Sequence, residues 1–168
     1  MNTTRVLLVS LLSVAVLAGC SKKVKEQPAA ETTPTTPTAP VADDGRYGPE
    51  DLDTDACLRQ RVVYFDLDQD ALKPEFQAIV GCHAKYLRDR PSARITLQGN
   101  ADERGSREYN LGLGERRGNA VNSALQAAGG SASQLTVVSY GEERPVATGS
   151  DEASWSQNRR VEIVYSAR

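Results

Sequence analysis

Gly99-Asn-Ala-Asp-Glu-Arg-Gly-Ser-Arg-Glu-Tyr-Asn-Leu-Gly-Leu-Gly-Glu-Arg-Arg-Gly118 is the stretch on which the reading of this chain turns. Just upstream, Ala93 to Gly99 alternates Ile95 and Leu97 with Thr96 and Gln98, the pattern of a strand with one buried face. A polar loop from Asn100 to Tyr109 follows. Asn110, Leu113, Ala120, Val121, Ala124, Leu125 and Ala128 then recur at helical spacing until Gly129-Gly130 ends the helix. Asp102 therefore closes a strand, and Arg117, four residues after Leu113, shares the face of the helix that borders the core. An arginine keeps its charge and needs partners when partly buried, so opposite charges at a strand end predict a preorganised site. A zwitterionic ligand suits it, with a carboxylate for Arg117 and an ammonium for Asp102. The alternative reading is a structural ion pair.

Working outward, Arg61-Val-Val-Tyr-Phe65 is a β-branched and aromatic run ending in Asp66, Asp68 and Asp70, a strand giving way to an acidic loop. The loop lacks the glycine and distal glutamate that a calcium loop requires. Pro74 fits the first turn of a helix carrying Phe76, Ile79, Val80, Ala84 and Leu87 on one face, with His83 beside them as a packing or surface residue, and Arg90-Pro91-Ser92 stops it. Leu135 to Tyr140 is a third strand, stopped by Gly141. Asp151 caps a short helix through about Gln157, and Arg160 to Tyr165 is the last strand. The order strand, helix, strand, helix, strand, short helix, strand predicts an α/β two-layer sandwich, with helices packed on a mixed four-stranded sheet.

The N-terminal part has a different character. Arg5 supplies a positive region, Val6 to Leu17 is apolar, and Leu17-Ala18-Gly19-Cys20 closes the segment, which predicts a secretory signal over residues 1–19. About twelve apolar residues are too few to cross a bilayer. Cys20 directly after Leu-Ala-Gly is similar to the lipobox of bacterial lipoproteins, in which that cysteine is acylated; an ordinary signal peptide followed by a free cysteine is the alternative. Two or three acyl chains make such an anchor stable, and Ser21 after the cysteine, in lipoproteins of this type, implies release to the outer membrane. Residues 20–48 then read as the lipidated cysteine and a Pro/Thr-rich tether without core-forming side chains, able to reach roughly 80 Å at about 3.1 Å per residue.

Residues 49–168 are enough for one core. With Cys20 carrying lipid, Cys57 and Cys82 remain as an even pair in an oxidising compartment and read as a disulfide, two separate thiols being the alternative. Two cysteines and the single His83 do not make a tetrahedral metal set, and no cofactor is expected. The net charge of −2, one unit more negative without Arg5, gives no electrostatic reason for nucleic acid as a partner.

Five segments carry a family resemblance: Val63-Tyr-Phe-Asp-Leu-Asp68, Gly99-Asn-Ala-Asp-Glu-Arg-Gly105, Tyr109-Asn-Leu-Gly-Leu-Gly-Glu-Arg-Arg117, Val138-Ser-Tyr-Gly-Glu-Glu-Arg-Pro145 and Asn158-Arg-Arg-Val161. From about Arg61 to the C-terminus the chain resembles the OmpA-like domain family, and most closely its lipid-anchored members associated with peptidoglycan. The resemblance implies non-covalent binding to the peptide stem of peptidoglycan, especially its diaminopimelate residue. Asp102 and Arg117 would grip the ammonium and carboxylate of that residue. Asp68, Asn110 and Leu113 would line the same groove, with Arg104 on its rim. It further implies an outer-membrane protein facing the periplasm, and a place in the Tol envelope and cell-division system, where the periplasmic β-propeller TolB occupies a surface overlapping the wall site. Many relatives have histidine where Asn100 stands, serine where Gly114 stands and alanine where Gly118 stands. Two glycines in a helix are expected to cost about 1 kcal/mol each relative to alanine.

Two other functions compete. A cell-wall hydrolase would use Asp66, Asp68, Asp102 or Glu103 as acid and base, but no nucleophile or metal is arranged beside them. A stator or porin sharing the domain would need a membrane helix or barrel upstream, and residues 21–60 contain neither pattern.

Overall fold

The structure, a computed structural model, describes residues 45–168; the expected signal segment, Cys20 and nearly all of the tether lie outside the described residues. Four strands, β1 (Val62–Tyr64), β2 (Arg94–Asn100), β3 (Leu135–Gly141) and β4 (Arg160–Ala167), form one sheet in the order β1-β4-β2-β3. β2 runs parallel to β3 and antiparallel to β4, which pairs antiparallel with β1. The helices are α1 (Asp51–Thr54), α2 (Gln77–Asp89), α3 (Arg107–Ala127) and α4 (Glu152–Asn158). The sheet is mixed because α3 is a crossover that returns the chain parallel to β2, whereas the short α4 lets β4 come back antiparallel between β1 and β2.

The core lies between the sheet and the two long helices. Ile95 and Leu97 of β2, Val161 and Ile163 of β4 and Val63 of β1 meet Val80, Ala84 and Leu87 of α2 and Val121 and Leu125 of α3. The alternation read from the sequence put the same β2 side chains inward. His83 is fully buried and held between the hydroxyl of Tyr165, 2.7 Å from Nδ1, and the carbonyl of Gln60, 3.0 Å from Nε2. Burial pushes its pKa below the ordinary value, despite the hydrogen bond to Gln60.

Differences from the sequence reading are local. Pro74 opens a 3-10 turn, Pro74–Phe76, and the α-helix begins only at Gln77. The one-turn α1 was not expected; the backbone N–H of Gly48 donates to the Asp51 carboxylate at 2.6 Å. Arg46 and Tyr47, within the stretch expected as tether, dock on the end of α2: an Arg46 Nη2 donates to the Asp89 carbonyl at 3.1 Å and the Tyr47 N–H to the Asp89 carboxylate at 2.9 Å. Cys57, in the turn before β1, is bonded to Cys82 of α2, with Cα atoms 6.3 Å apart. The bridge ties the entry to the sheet onto the helix that covers it.

The glycines of α3 that relatives replace, Gly114 and Gly118, sit against close neighbours. A Cβ built on Gly114 would lie 2.4 Å from Ser139 Oγ and 2.9 Å from the Gly99 carbonyl oxygen, and one built on Gly99 would fall 1.9 Å from the Gly114 carbonyl oxygen. α3 thus touches β2 backbone to backbone. The lost helix propensity is offset by a close approach that a side chain would prevent.

Candidate functional site

The loops after β1 and β2 and the first turns of α3 form a cleft of about 390 Å³, lined by Leu67, Asp68, Asp102, Arg104, Gly105, Tyr109, Asn110, Leu113 and Arg117. The six residues expected to bind ligand, Asp68, Asp102, Arg104, Asn110, Leu113 and Arg117, are all brought together here. Asp68 comes from the loop after β1, Asp102 and Arg104 from the loop after β2, and the other three from the first turns of α3. Ser106 caps that helix, its Oγ accepting the Tyr109 N–H at 3.2 Å. Because Asn110, Leu113 and Arg117 follow at three- and four-residue steps, they face the cleft together.

Arg117 does not partner Asp102 as the sequence predicted. It is fully buried and donates through Nε to the Gln69 carbonyl at 2.8 Å, through Nη1 to the Asn100 carbonyl at 2.9 Å, and through Nη2 to the Asp66 carbonyl at 3.0 Å. Its guanidinium also lies 5.3 Å from the Phe65 ring centre. The physical reason is that a strand end and a tight loop leave carbonyls without partners, and the planar fork of an arginine satisfies three of them at once. Desolvation lowers the Arg117 pKa to about 10 while the nearby Asp102 charge raises it, so the side chain stays cationic at neutral pH.

Asp102 has other partners. Arg104 holds it by two side-chain bonds, Nε to Oδ1 at 3.1 Å and Nη2 to Oδ2 at 2.6 Å, and its backbone N–H adds a third at 3.1 Å. Arg159 donates to Oδ2 at 3.2 Å from behind. Burial pushes the Asp102 pKa up, but these hydrogen bonds outweigh it and hold the carboxyl below its usual range. Arg104 is therefore one wall of the cleft as well as its rim, with its guanidinium 4.1 Å from the Trp155 ring centre.

Asp68 is exposed and sits at φ 55°, the left-handed region that an aspartate adopts rarely, in a loop whose turn aims its carboxylate at the Tyr109 hydroxyl. The neighbouring aspartates point elsewhere: Asp66 pairs with Lys73 at 2.7 Å and Asp70 with Arg116 at 3.0 Å. Asn110 donates to Glu142. Asn100 is buried with its amide donating to the Gln98 carbonyl, and its side-chain oxygen has no hydrogen-bond partner among the described residues.

Sequence reasoning missed Arg159, Trp155, Tyr109 and Leu67. Arg159 is buried and bridges three elements, donating to the Phe65 carbonyl at 3.0 Å, to Asp102 and to Glu152 of α4 at 2.5 Å. An Arg-Arg pair at the start of an apolar strand was the signal for it. Leu67 and Tyr109, both exposed, offer apolar surface at the mouth. What the arrangement can do is hold a small ligand bearing both charges: it places carboxylates and guanidiniums around an apolar floor at Leu113. Proton transfer is ill served, since Asp102 is acidified by its arginines rather than poised near neutrality.

A model of the OmpA family matches residues 64–159. The chain is 47% identical over 157 residues to the peptidoglycan-associated lipoprotein of Pseudomonas putida, covering 90% of this chain and 91% of that one. It is 40% identical over 162 residues to the peptidoglycan-associated lipoprotein of Pasteurella multocida, covering 96% and 97%. Among solved structures, the peptidoglycan-associated lipoprotein from Burkholderia pseudomallei superposes with a TM-score of 0.66 at 49% identity, over 67% of this chain and 96% of that chain. The chain belongs to the OmpA family, among its peptidoglycan-associated lipoproteins.

Proposed function

We propose that this protein binds peptidoglycan without covalent chemistry, through the cleft between the first turns of α3 and the loops after β1 and β2, with the diaminopimelate end of the peptide stem as the group it holds. The observation that carries the reading is the gathering of Asp68, Asp102, Arg104, Asn110, Leu113 and Arg117 around one small cleft of both charge signs. A diaminopimelate side chain ends in an ammonium and a carboxylate, whereas lysine lacks the carboxylate, so a cleft of mixed charge discriminates between them. The names of the relatives agree with association with peptidoglycan. Acylation at Cys20 and a tether of residues 20–48 would hold the domain to the periplasmic face of the outer membrane, linking membrane to wall. TolB and the Tol complex are the partners proposed for the same surface.

The protein is not an enzyme; its relatives share a binding domain. The hydrolase alternative requires a carboxyl group that stays protonated near neutral pH. Asp102 is held below the usual range, and the Asp66 and Asp68 side chains are turned to Lys73 and Tyr109 rather than paired with Asp102 across the cleft.

Co-sedimentation with purified peptidoglycan tests the proposal. The parent protein should pellet with the wall, and folded Asp68→Ala and Asp102→Asn variants should bind at least roughly tenfold more weakly, as expected when a charged partner of a bound ligand is removed. Equal sedimentation of both variants and parent would place the site elsewhere.

A further inference from the structure

We propose that Arg104 reads the ligand's carboxylate by exchanging partners: in the free protein it stands in for the ligand's ammonium on Asp102, and a zwitterionic ligand takes Asp102 while returning a carboxylate to Arg104. The proposal rests on the peptidoglycan-stem reading and assigns within it the residue that sets specificity.

Both oxygens of Asp102 are occupied before any ligand arrives. Oδ1 accepts the Arg104 backbone N–H and Nε, and Oδ2 accepts Arg104 Nη2 and Arg159 Nη1. An incoming ammonium must displace one of these arginines. Arg159 is the wrong one to leave, since it is buried and is also fixed by the Phe65 carbonyl and Glu152. Arg117 cannot swing toward a ligand either, because three backbone carbonyls hold it. Arg104 is the movable cation: its side chain is 32% exposed, it sits on a loop, and it already rests on the exposed edge of α4, with the Trp155 ring beneath it and Glu152 at 3.7 Å. The aromatic face and Glu152 keep a seat for the guanidinium once Asp102 is released.

The exchange makes a simple amine a poor ligand. A lone ammonium that took Asp102 would leave Arg104 with only the exposed and more distant Glu152, so one close charge-assisted pair is gained and one lost. A ligand with ammonium and carboxylate on the same carbon gives back what it takes. Two pairs replace one, and the planar fork of Arg104 holds the new carboxylate by two bonds, as it holds Asp102 in the free protein.

Calorimetric titration of the full chain with the tripeptide L-alanyl-γ-D-glutamyl-meso-diaminopimelate and with its L-lysine counterpart tests this. The parent should prefer the diaminopimelate peptide by roughly tenfold or more. In Arg104→Ala the preference should collapse toward about one, the lysine peptide binding as well as or better than it does to the parent because Asp102 then keeps only Arg159 and no arginine has to be displaced. Arg104→Lys keeps the charge but cannot form the two-bond clamp, so the preference should fall there too, and melting curves establish that both variants are folded. Undiminished preference in either folded variant would overturn the exchange while leaving the wall-binding reading intact. A parent that binds neither peptide would overturn both.

Discussion

Replacing Arg117 separates its two meanings, a ligand contact and a structural clamp, and the geometry fixes how large the structural part is. In Arg117→Ala three carbonyls lose their donor. The bond to the Asn100 carbonyl is buried, and leaving that acceptor unpaired costs about 1–3 kcal/mol. The Gln69 and Asp66 carbonyls are partly exposed and regain water, so they add less. Loss of a fully buried side chain whose guanidinium lies over Phe65 leaves a cavity whose cost is of the order found for other large-to-alanine changes, about 2–5 kcal/mol, while the burial penalty of the guanidinium is recovered. The net expectation is a loss of about 3–5 kcal/mol, a large part of a typical domain's stability. Urea unfolding followed by fluorescence of Trp155, the single tryptophan, reads this directly, and hydrogen exchange should show the 66–70 loop opening first. Arg117→Lys is the sharper test because it keeps the charge: one ammonium cannot reproduce a planar three-way clamp, so it too should lose at least about 2 kcal/mol. A lysine variant within about 0.5 kcal/mol of the parent would refute the clamp and return Arg117 to the role of a ligand-facing charge.

Four further outcomes follow from the same geometry. Gly99→Ala, whose Cβ would fall 1.9 Å from the backbone oxygen of Gly114, should destabilise by more than about 3 kcal/mol or fail to fold, whereas Gly114→Ala, which meets the Ser139 hydroxyl and, less closely, the Gly99 backbone at 2.9 Å, should cost less, about 1–3 kcal/mol net of improved helix propensity; thermal denaturation ranks them. Removing the bridge in a Cys57→Ala/Cys82→Ala variant should cost about 3.5 kcal/mol in the chain-entropy account for a loop of this length, measured by urea unfolding without reductant. His83, its folded pKa lowered by burial, contributes stability that is complete above the unfolded value of 6.5 and lost as pH falls through the lowered one, so stability should drop between pH 7 and 5 by at most about 1.4 kcal/mol per unit, and His83→Asn should flatten that slope. Asp102, also lowered in the fold, contributes stability that is complete above the unfolded value of about 3.9 and lost on further acidification; Asp102→Asn should remove that part of the acid limb.

The elements that set the architecture were legible because their patterns are strictly periodic. Ile95 and Leu97 alternate with polar neighbours and are buried as a strand requires, and Ile79, Val80, Ala84 and Leu87 recur as a helix face requires. Asp102 and Arg117 were legible as inward-facing charges at a strand end and on a helix face, but Asp68, Arg104, Asn110 and Leu113 were legible only through a family resemblance, since nothing in spacing alone tells that a loop after β1 will meet the first turns of α3. The pairing of charges was not legible at all. Asp102 and Arg117 looked like partners because both point inward, but which carboxylate an arginine meets depends on where unpaired backbone carbonyls lie, and those are a property of loop conformation. Of the two arginines that do hold Asp102, Arg104 is two residues away, and Arg159 comes from the far end of the chain and reaches Asp102 only because β4 returns between β1 and β2.

The depth of the cleft follows from the contact between α3 and β2. Gly99 and Gly114 let the helix settle onto the strand, which brings Arg117, one turn further along, within reach of the Asn100 carbonyl at the strand's end. The same guanidinium then pulls in the loop after β1 through Asp66 and Gln69, and that loop carries Asp68 in its left-handed turn to the Tyr109 hydroxyl on α3. Two glycines and a buried arginine thus set where the ligand-facing charges stand, without needing to touch the ligand. A side chain at Gly99 that lifted α3 from β2 would loosen the clamp and displace Asp68, so wall binding and loop protection should be lost together in any Gly99 variant that still folds. Binding at the parent's affinity with an unprotected 66–70 loop would break this chain of dependence at the clamp.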